Sequence, residues 1–428
     1  MSELYSGKKL MVLGGAPQHC KVVEAAKDLG IKVYVADFLE DSPAKRIADV
    51  PLLINVMNVN ALVDICIKEK IDGAIATSLD ACQLPYQKLC ERMNYPCFGD
   101  EKQFKILTNK RSFKQCCKKY GVDTIPAYTL EDIETDNNVE YPVFVKPVDS
   151  RGSRGQSICY NKVEVKTAIE KASCEASDGN FLIEKYMGAC QDFTVAYLCA
   201  DGEGYIVRTG DRFEGSKGTG LENLCVASCS PSMFTEKYIN NTNENVLKML
   251  RGIGIKNAPI FLQGFIDGDK VRFYDPGLRF AGGEYEKIMK FITGEDLILY
   301  LVKYAISGIP IKPKFKKDIW KLCGKRITQL DPTLKPGTIK RISGIETIQD
   351  MECVVAISQR VFEGDIIVKS NDLGQRFGEF CIISDNFEGE VENIKKIQAC
   401  LSVMDEDDKE MIFDAFDTDK LKGEVSET

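Results

Sequence analysis

Two lysines and a glycine-rich stretch carry the most explicit chemistry in this sequence. The segment "FVKPVDSRGSRGQSICY", Phe144 to Tyr160, places Lys146 at the end of an apolar run and follows it with glycines set among serines and arginines. Glycines let several backbone N–H groups converge on one anion and remove side chains that would block its approach. Ser150 and Ser153 add hydroxyl donors, and Lys146 supplies a point charge for a phosphate oxygen. A loop of this kind can also open to admit a substrate and close to exclude water. It is not a Walker loop, because the nearest string, "GDRFEGSK", misplaces the serine and the lysine. Upstream, a helical pattern ending at Gly121 carries Lys110, Arg111 and Lys114 on a basic face.

Carboxylates and amides follow at spacings that suit a metal ion held with phosphate. The stretch "FLIEKYM" presents Glu184, Lys185 and Met187 on or just past a strand, and Asp192 opens the strand "FTVAYLCA". Further on, Asp267-Gly268-Asp269 between two apolar strands is a strong hairpin signal. Counting outward from that turn sets Gln263 roughly opposite Asp275. One carboxylate and one amide oxygen then face a single magnesium ion, which usually takes only one or two carboxylates together with phosphate oxygens and water.

These residues need a scaffold, and the pattern supplies one. "KKLMVL", a glycine turn, a helix with Val22, Ala25, Ala26 and Leu29 on one face, and "KVYVAD" form a strand–turn–helix–strand unit, implying a parallel sheet. The paired Gly14-Gly15 lacks the full dinucleotide fingerprint and reads as a tight turn, with Asp37 as a turn or substrate-side residue. From Tyr141 the pattern becomes antiparallel. At 428 residues the chain exceeds one ordinary core, so two or three domains are expected.

Composition excludes several classes. A net charge of −8 argues against a nucleic-acid partner. No apolar run reaches the roughly 18 residues of a membrane span, so no membrane partner is expected. The single histidine, His19, leaves little room for histidine catalysis or a histidine-ligated metal. The 17 cysteines contain no CxxC pair and suggest inert thiols in a reducing cytoplasm. The acidic stretch from Met404 reads as a terminal helix and a disordered tail.

Taken in order, "LTNKRSFK", "FVKP", "DSRGSRGQS", "EKYM" and the strand pair ending in "DPGLRFAGG" resemble an ATP-grasp ligase of the carboxylate–amine, amino-acid or carbamoyl-phosphate-synthase-like branch. The resemblance implies an α/β plus α+β architecture. A Rossmann-like domain would span 1–105, an ATP-grasp domain 106–308 with a lid over about 125–185, and an α+β C-terminal region 309–428. It implies that Lys110 and Lys146 hold ATP phosphates beneath Ser150, Gly152, Ser153 and Gly155. Glu184, Lys185 and Met187 would border adenine, Asp192 would take the ribose, and Gln263 and Asp275 would hold Mg2+ or Mn2+. Arg279 would stabilise the anionic intermediate, and Lys217 of "EGSKGTGLEN" would line the acceptor side.

The implied reaction joins a small-molecule carboxylate to an amine through an acyl phosphate, releasing ADP, and a homodimer is the implied assembly. A purine-biosynthesis or carbamoyl-phosphate-type ligase shares the same front end. The family's metal strands carry glutamate, then glutamate-x-asparagine-x-arginine, whereas Gln263, Asp275 and Gly277 stand here. That departure keeps a third reading open, a catalytically impaired nucleotide sensor.

Overall fold

The computed structural model describes residues 4–135, 138–148, 155–176, 179–188, 190–215, 221, 224–370, 373–413 and 415–422. The first strands, Lys9–Leu13 and Lys32–Asp37, are buried along nearly their whole length, as a sheet covered on both faces requires. They pair in parallel at the centre of a four-stranded sheet whose outer members are Val50–Leu53 and Gly73–Ile75. Helix Cys20–Asp28 covers it together with helix Leu297–Ser307, which arrives from some 270 residues later and packs on both that helix and strand Gly73–Ile75. The sequence reading assigned Leu297–Ser307 to the middle domain. Its apolar face instead completes the first sheet, and Gly73 makes this possible, since a Cβ there would lie 2.1 Å from the Ala305 carbonyl oxygen.

The Gly14-Gly15 turn is filled by the protein itself. Gly15 N–H donates to Asp37 Oδ2 at 2.7 Å, Leu39 N–H donates to Asp37 Oδ1 at 2.8 Å, and a Cβ on Gly15 would fall 2.0 Å from Ser42 Oγ. His19 is wholly buried, and burial pulls its pKa down to about 4, which makes it a neutral core residue.

A small antiparallel sheet in the order Ala127–Tyr128, Phe181–Lys185, Val143–Pro147, Ser157–Cys159 carries helix Lys162–Glu175 and a core of its own around Val145, Val165 and Ile183. The body of the molecule is one eight-stranded antiparallel sheet. Its order is Lys270–Gly277, Ala258–Asp267, Asp192–Ala200, Glu203–Glu214, Cys225–Ser230, Arg326–Leu330, Gly378–Ser384, Val354–Gln359. The last three strands lie beyond residue 308, so the C-terminal region extends the central sheet. The Asp-Gly hairpin forms with Asp267 opposite Lys270, and a register shift between Gln263 and Gly264 brings Gln263 opposite Asp275.

The chain's end departs from the sequence expectation. No α-helix forms there among the described residues: strand Ser402–Asp405 is followed by a short 3-10 turn, Thr418–Lys422, because Met411, Phe416 and Leu421 are buried against the sheet and hold that segment down. The Phe416 ring lies 5.1 Å from that of Phe213.

Gly73→Val should destabilise the chain by about 1–3 kcal/mol, the usual cost of forcing atoms into a filled contact. Urea unfolding measures it, and an unchanged midpoint would show that the late helix is not seated on this sheet.

Candidate active site

Helix Lys110–Tyr120 begins at Asn109, whose side chain accepts from Ser112 N–H and fixes the first turn. Lys110 and Lys114, four residues apart, therefore lie on one helical face. Lys146 leaves strand Val143–Pro147 toward the same space. Glu184 sits between them from strand Phe181–Lys185, fully buried, with Lys146 Nζ at 2.6 Å and an ion pair to Lys114. Burial alone would push the Glu184 carboxyl up, but the two ammonium groups outweigh it and hold the group below the usual carboxylate range. Burial pulls Lys114 below the ordinary lysine value, with Glu184 opposing. Burial likewise lowers Lys110, opposed by Asp275 Oδ1 at 3.9 Å.

Lys110, Lys146 and Glu184 line a cavity of about 210 Å3 together with Lys185, Met187, Phe265 and Tyr274. Lys110 and Lys146 thus share one space. Lys185 pairs with Glu140 at 2.5 Å on the rim, and Met187 is buried in the wall. Gly155, with φ +72°, closes the base of the glycine stretch, where a Cβ would meet Pro147 Cγ at 2.8 Å. Ser150, Gly152, Ser153 and Lys217 lie outside the described residues.

Two expected site residues occupy other positions. Asp192 does not line the cavity: it is 4% exposed and stands behind it, accepting from Arg212 Nη1 at 2.5 Å and from Tyr274 Oη at 3.2 Å. In this structure it is the counter-ion to Arg212. Burial raises its pKa to about 6. Arg279 is engaged in a bidentate pair with Asp80, Nε to Oδ1 at 2.6 Å and Nη2 to Oδ2 at 3.0 Å, which ties the central sheet to the first domain.

A second cavity, about 420 Å3, adjoins the first, and Arg212 and Gln263 line both. Its floor is one face of the large sheet. Paired positions run Asp275, Gln263, Thr194, Gly210, and then Arg212, Ser228, Gln329, Cys381, so neighbouring strands present their side chains together. Its far wall is the loop after Arg279, anchored where Lys21 Nζ meets Glu286 Oε2 at 2.5 Å and donates to the Gly283 carbonyl at 2.8 Å. The Gln263 amide is oriented so that its oxygen accepts from Arg212 Nε at 3.1 Å.

Sequence reasoning missed Lys114 as an ion-pair partner of Glu184, although its i,i+4 spacing from Lys110 was visible. It also missed Arg208, Arg212, Glu214, Asp331, Arg376 and Glu379, which no motif marks. They are brought together only by register across strands distant in sequence.

Residues 109–274 match the family model of the carbamoyl-phosphate synthase L chain, ATP-binding domain, which marks that segment as an ATP-grasp ATP-binding domain. Among curated proteins it is similar to the formate-dependent phosphoribosylglycinamide formyltransferase of Sulfurisphaera tokodaii, with 27% identity over 61% of this chain and 68% of that one. Its fold is shared with an L-amino acid ligase from Bacillus licheniformis (TM-score 0.75, 17% identity, 94% of this chain and 99% of that one). It is shared equally with the biotin carboxylase domain of the Hydrogenobacter thermophilus 2-oxoglutarate carboxylase, solved with MgADP and bicarbonate (TM-score 0.75, 18% identity, 94% and 91%).

Glu184→Ala should cost about 3–5 kcal/mol of stability, because it strands two buried ammonium groups; denaturant unfolding reads this, and a loss below 1 kcal/mol would contradict the ion-pair geometry. Burial, with Asp192 adding to it and Arg212 and Lys420 opposing, raises Glu214 to about 7. An unfolded glutamate releases its proton near 4.3, so between these values the folded state holds more protons and stability falls as pH rises. Glu214→Gln should flatten that slope between pH 5 and 7 in urea titrations, and an identical slope in the variant would rule the assignment out.

Proposed function

We propose that the chain is an ATP-dependent ligase that activates a small carboxylate as an acyl phosphate and passes it to an amine. The observation that carries this reading is the junction of two cavities at Arg212 and Gln263, one rich in ammonium groups and one rich in guanidinium groups. Phosphoryl transfer requires positioning and charge neutralisation more than an acid–base side chain, and such an arrangement provides both without a histidine.

In this reading Lys110 and Lys146 neutralise the triphosphate, and Glu184 holds Lys146 and Lys114 in place through its two ion pairs. Lys185 and Met187 flank the base. Ser150, Gly152, Ser153 and Gly155 fold over the phosphates, and Lys217 borders the acceptor. Arg212, backed by Asp192, lies where the transferred group would pass. Arg279, fixed on Asp80, holds the acceptor cavity against the first domain.

The metal donors are few. Asp275 is one carboxylate, Gln263 turns its oxygen to Arg212, and among the described residues no three histidine, cysteine, aspartate or glutamate side chains cluster as a metal cage. This set fits magnesium that enters on the nucleotide, since magnesium commonly keeps waters and phosphate oxygens and takes one or two carboxylates. Bound there, the ion would neutralise phosphate charge. The same sparse set supports a second reading, nucleotide binding without turnover.

Coupled detection of ADP release in the presence of MgATP, over a panel of small acids with and without amines, tests the proposal. Release is expected to need an acid, and amide product to need an amine as well. Asp275→Ala should lower the rate at least 100-fold. Nucleotide binding with no release from any acid would favour the non-catalytic reading.

A further inference from the structure

The larger cavity is lined by five guanidinium groups, Arg208, Arg212, Arg279, Arg360 and Arg376, and their partners differ sharply. Arg212 is backed by Asp192, Arg279 by Asp80, and Arg376 by Asp331 at 3.3 Å. Arg360 is exposed to solvent. Arg208 alone is buried, at 6% exposure, with no carboxylate within ion-pair distance among the described residues. Its Nε has no hydrogen-bond partner there. A guanidinium offers five N–H donors, and the one hydrogen bond Arg208 makes is from Nη2 to Ser228 Oγ at 3.1 Å. A buried charge left uncompensated is costly, so an unpaired guanidinium facing a cavity marks the place where a ligand's negative charge completes the site.

The head of Arg208 is held in position before any ligand arrives. It stacks on the Tyr285 ring at 4.5 Å, and Tyr285 Oη donates to the Val207 carbonyl at 3.0 Å. Tyr285 is next to Glu286, which Lys21 pins from the first domain. Ser228, the hydroxyl that Arg208 reaches, is paired across the sheet with Arg212. The free donors therefore lie beside the junction where both cavities meet. The carboxylates that share the cavity do not cancel this charge. Asp331 is taken by Arg376, and Glu379 stands on strand Gly378–Ser384, three strands from Arg208, about 14 Å at strand spacing. Glu284, the third carboxylate of the lining, makes no ion pair with Arg208 among the described residues, and the cations that act on it are Lys21 and Lys287.

We propose that Arg208 is the guanidinium that receives the oxyanion of the small substrate, a carboxylate or the phosphate of a phosphomonoester, and that Arg279 is instead a structural tie to Asp80. The proposal rests on the reading of the neighbouring cavity as the nucleotide site, and it moves the anion-binding role from the arginine singled out by family resemblance to one that no motif marks.

The test uses the full chain with glutarate and glycerol 3-phosphate as probes, titrated by thermal shift at constant ionic strength against chloride, with and without MgADP. At least one probe should stabilise the wild type saturably beyond chloride. Arg208→Gln should weaken that probe at least tenfold, Arg208→Lys should recover part of the loss, and Arg279→Gln should change it less than threefold. MgADP affinity should stay within threefold in the Arg208 variants. Response to glutarate alone assigns the site to carboxylates, and response to glycerol 3-phosphate alone assigns it to phosphate. The proposal is overturned if neither probe exceeds chloride on the wild type, which requires no variant to fold, or if Arg279→Gln weakens binding as much as Arg208→Gln. Absence of MgADP binding would remove the nucleotide reading, while the titration without nucleotide would still decide Arg208.

Discussion

A carboxylate with almost no access to water, held between two ammonium groups, sets the terms for the rest of the site. Glu184 joins three pieces of chain that are separate in sequence: helix Lys110–Tyr120, strand Val143–Pro147 and its own strand Phe181–Lys185. Burying any one of these charges alone would be prohibitive, and burying them together is tolerable only when the geometry is tight. The small sheet can therefore adopt few positions relative to the helix. The arrangement carries one negative charge for two positive ones, so the cavity wall keeps a surplus that only an anion can balance. Lys110 adds to that surplus, since its contact with Asp275 is 3.9 Å and Asp275 is itself partly solvated.

The second constraint is the period of the β-strand. Side chains alternate between faces, so once the register of the large sheet is set, every second residue of each strand is delivered to the same floor. That floor joins Asp275 on one edge strand to residues beyond position 308. The C-terminal region therefore supplies floor as well as wall to the larger cavity, and its strands cannot be removed without opening the sheet. The first domain closes the remaining side through two ion pairs, Lys21 with Glu286 and Arg279 with Asp80, both spanning about 200 residues or more of sequence.

Local signals were legible and long-range ones were not. The Asp-Gly turn declared its hairpin, and counting from it put Gln263 near Asp275, because a short turn sets the register; the shift between Gln263 and Gly264 that makes the two direct partners has no mark in the sequence. The glycine turn at Gly14-Gly15 was read as a turn from its incomplete fingerprint, and Asp37 and Ser42 fill it. Family motifs led to Lys110, Lys146 and Met187, all three of which line one cavity. Asp192 shows the limit of a local signal: a carboxylate at the head of a strand has no mark that distinguishes a ligand contact from a buried counter-ion, and its partner Arg212 lies on the next strand. The terminal segment was misjudged. Its acidic composition suggested a solvated helix, while Met411, Phe416 and Leu421 bury themselves one at a time without helical spacing.

The exchange of glutamate for glutamine at position 263 illustrates how these constraints act together. A carboxylate there would have two claimants, a metal ion and Arg212, and would carry charge in a junction already served by Asp192 behind that arginine. Glutamine removes the charge while its amide oxygen still accepts from Arg212 Nε at 3.1 Å. Arg212 consequently faces the junction with one carboxylate behind it and a neutral acceptor beside it, so more of its positive field reaches the space between the cavities.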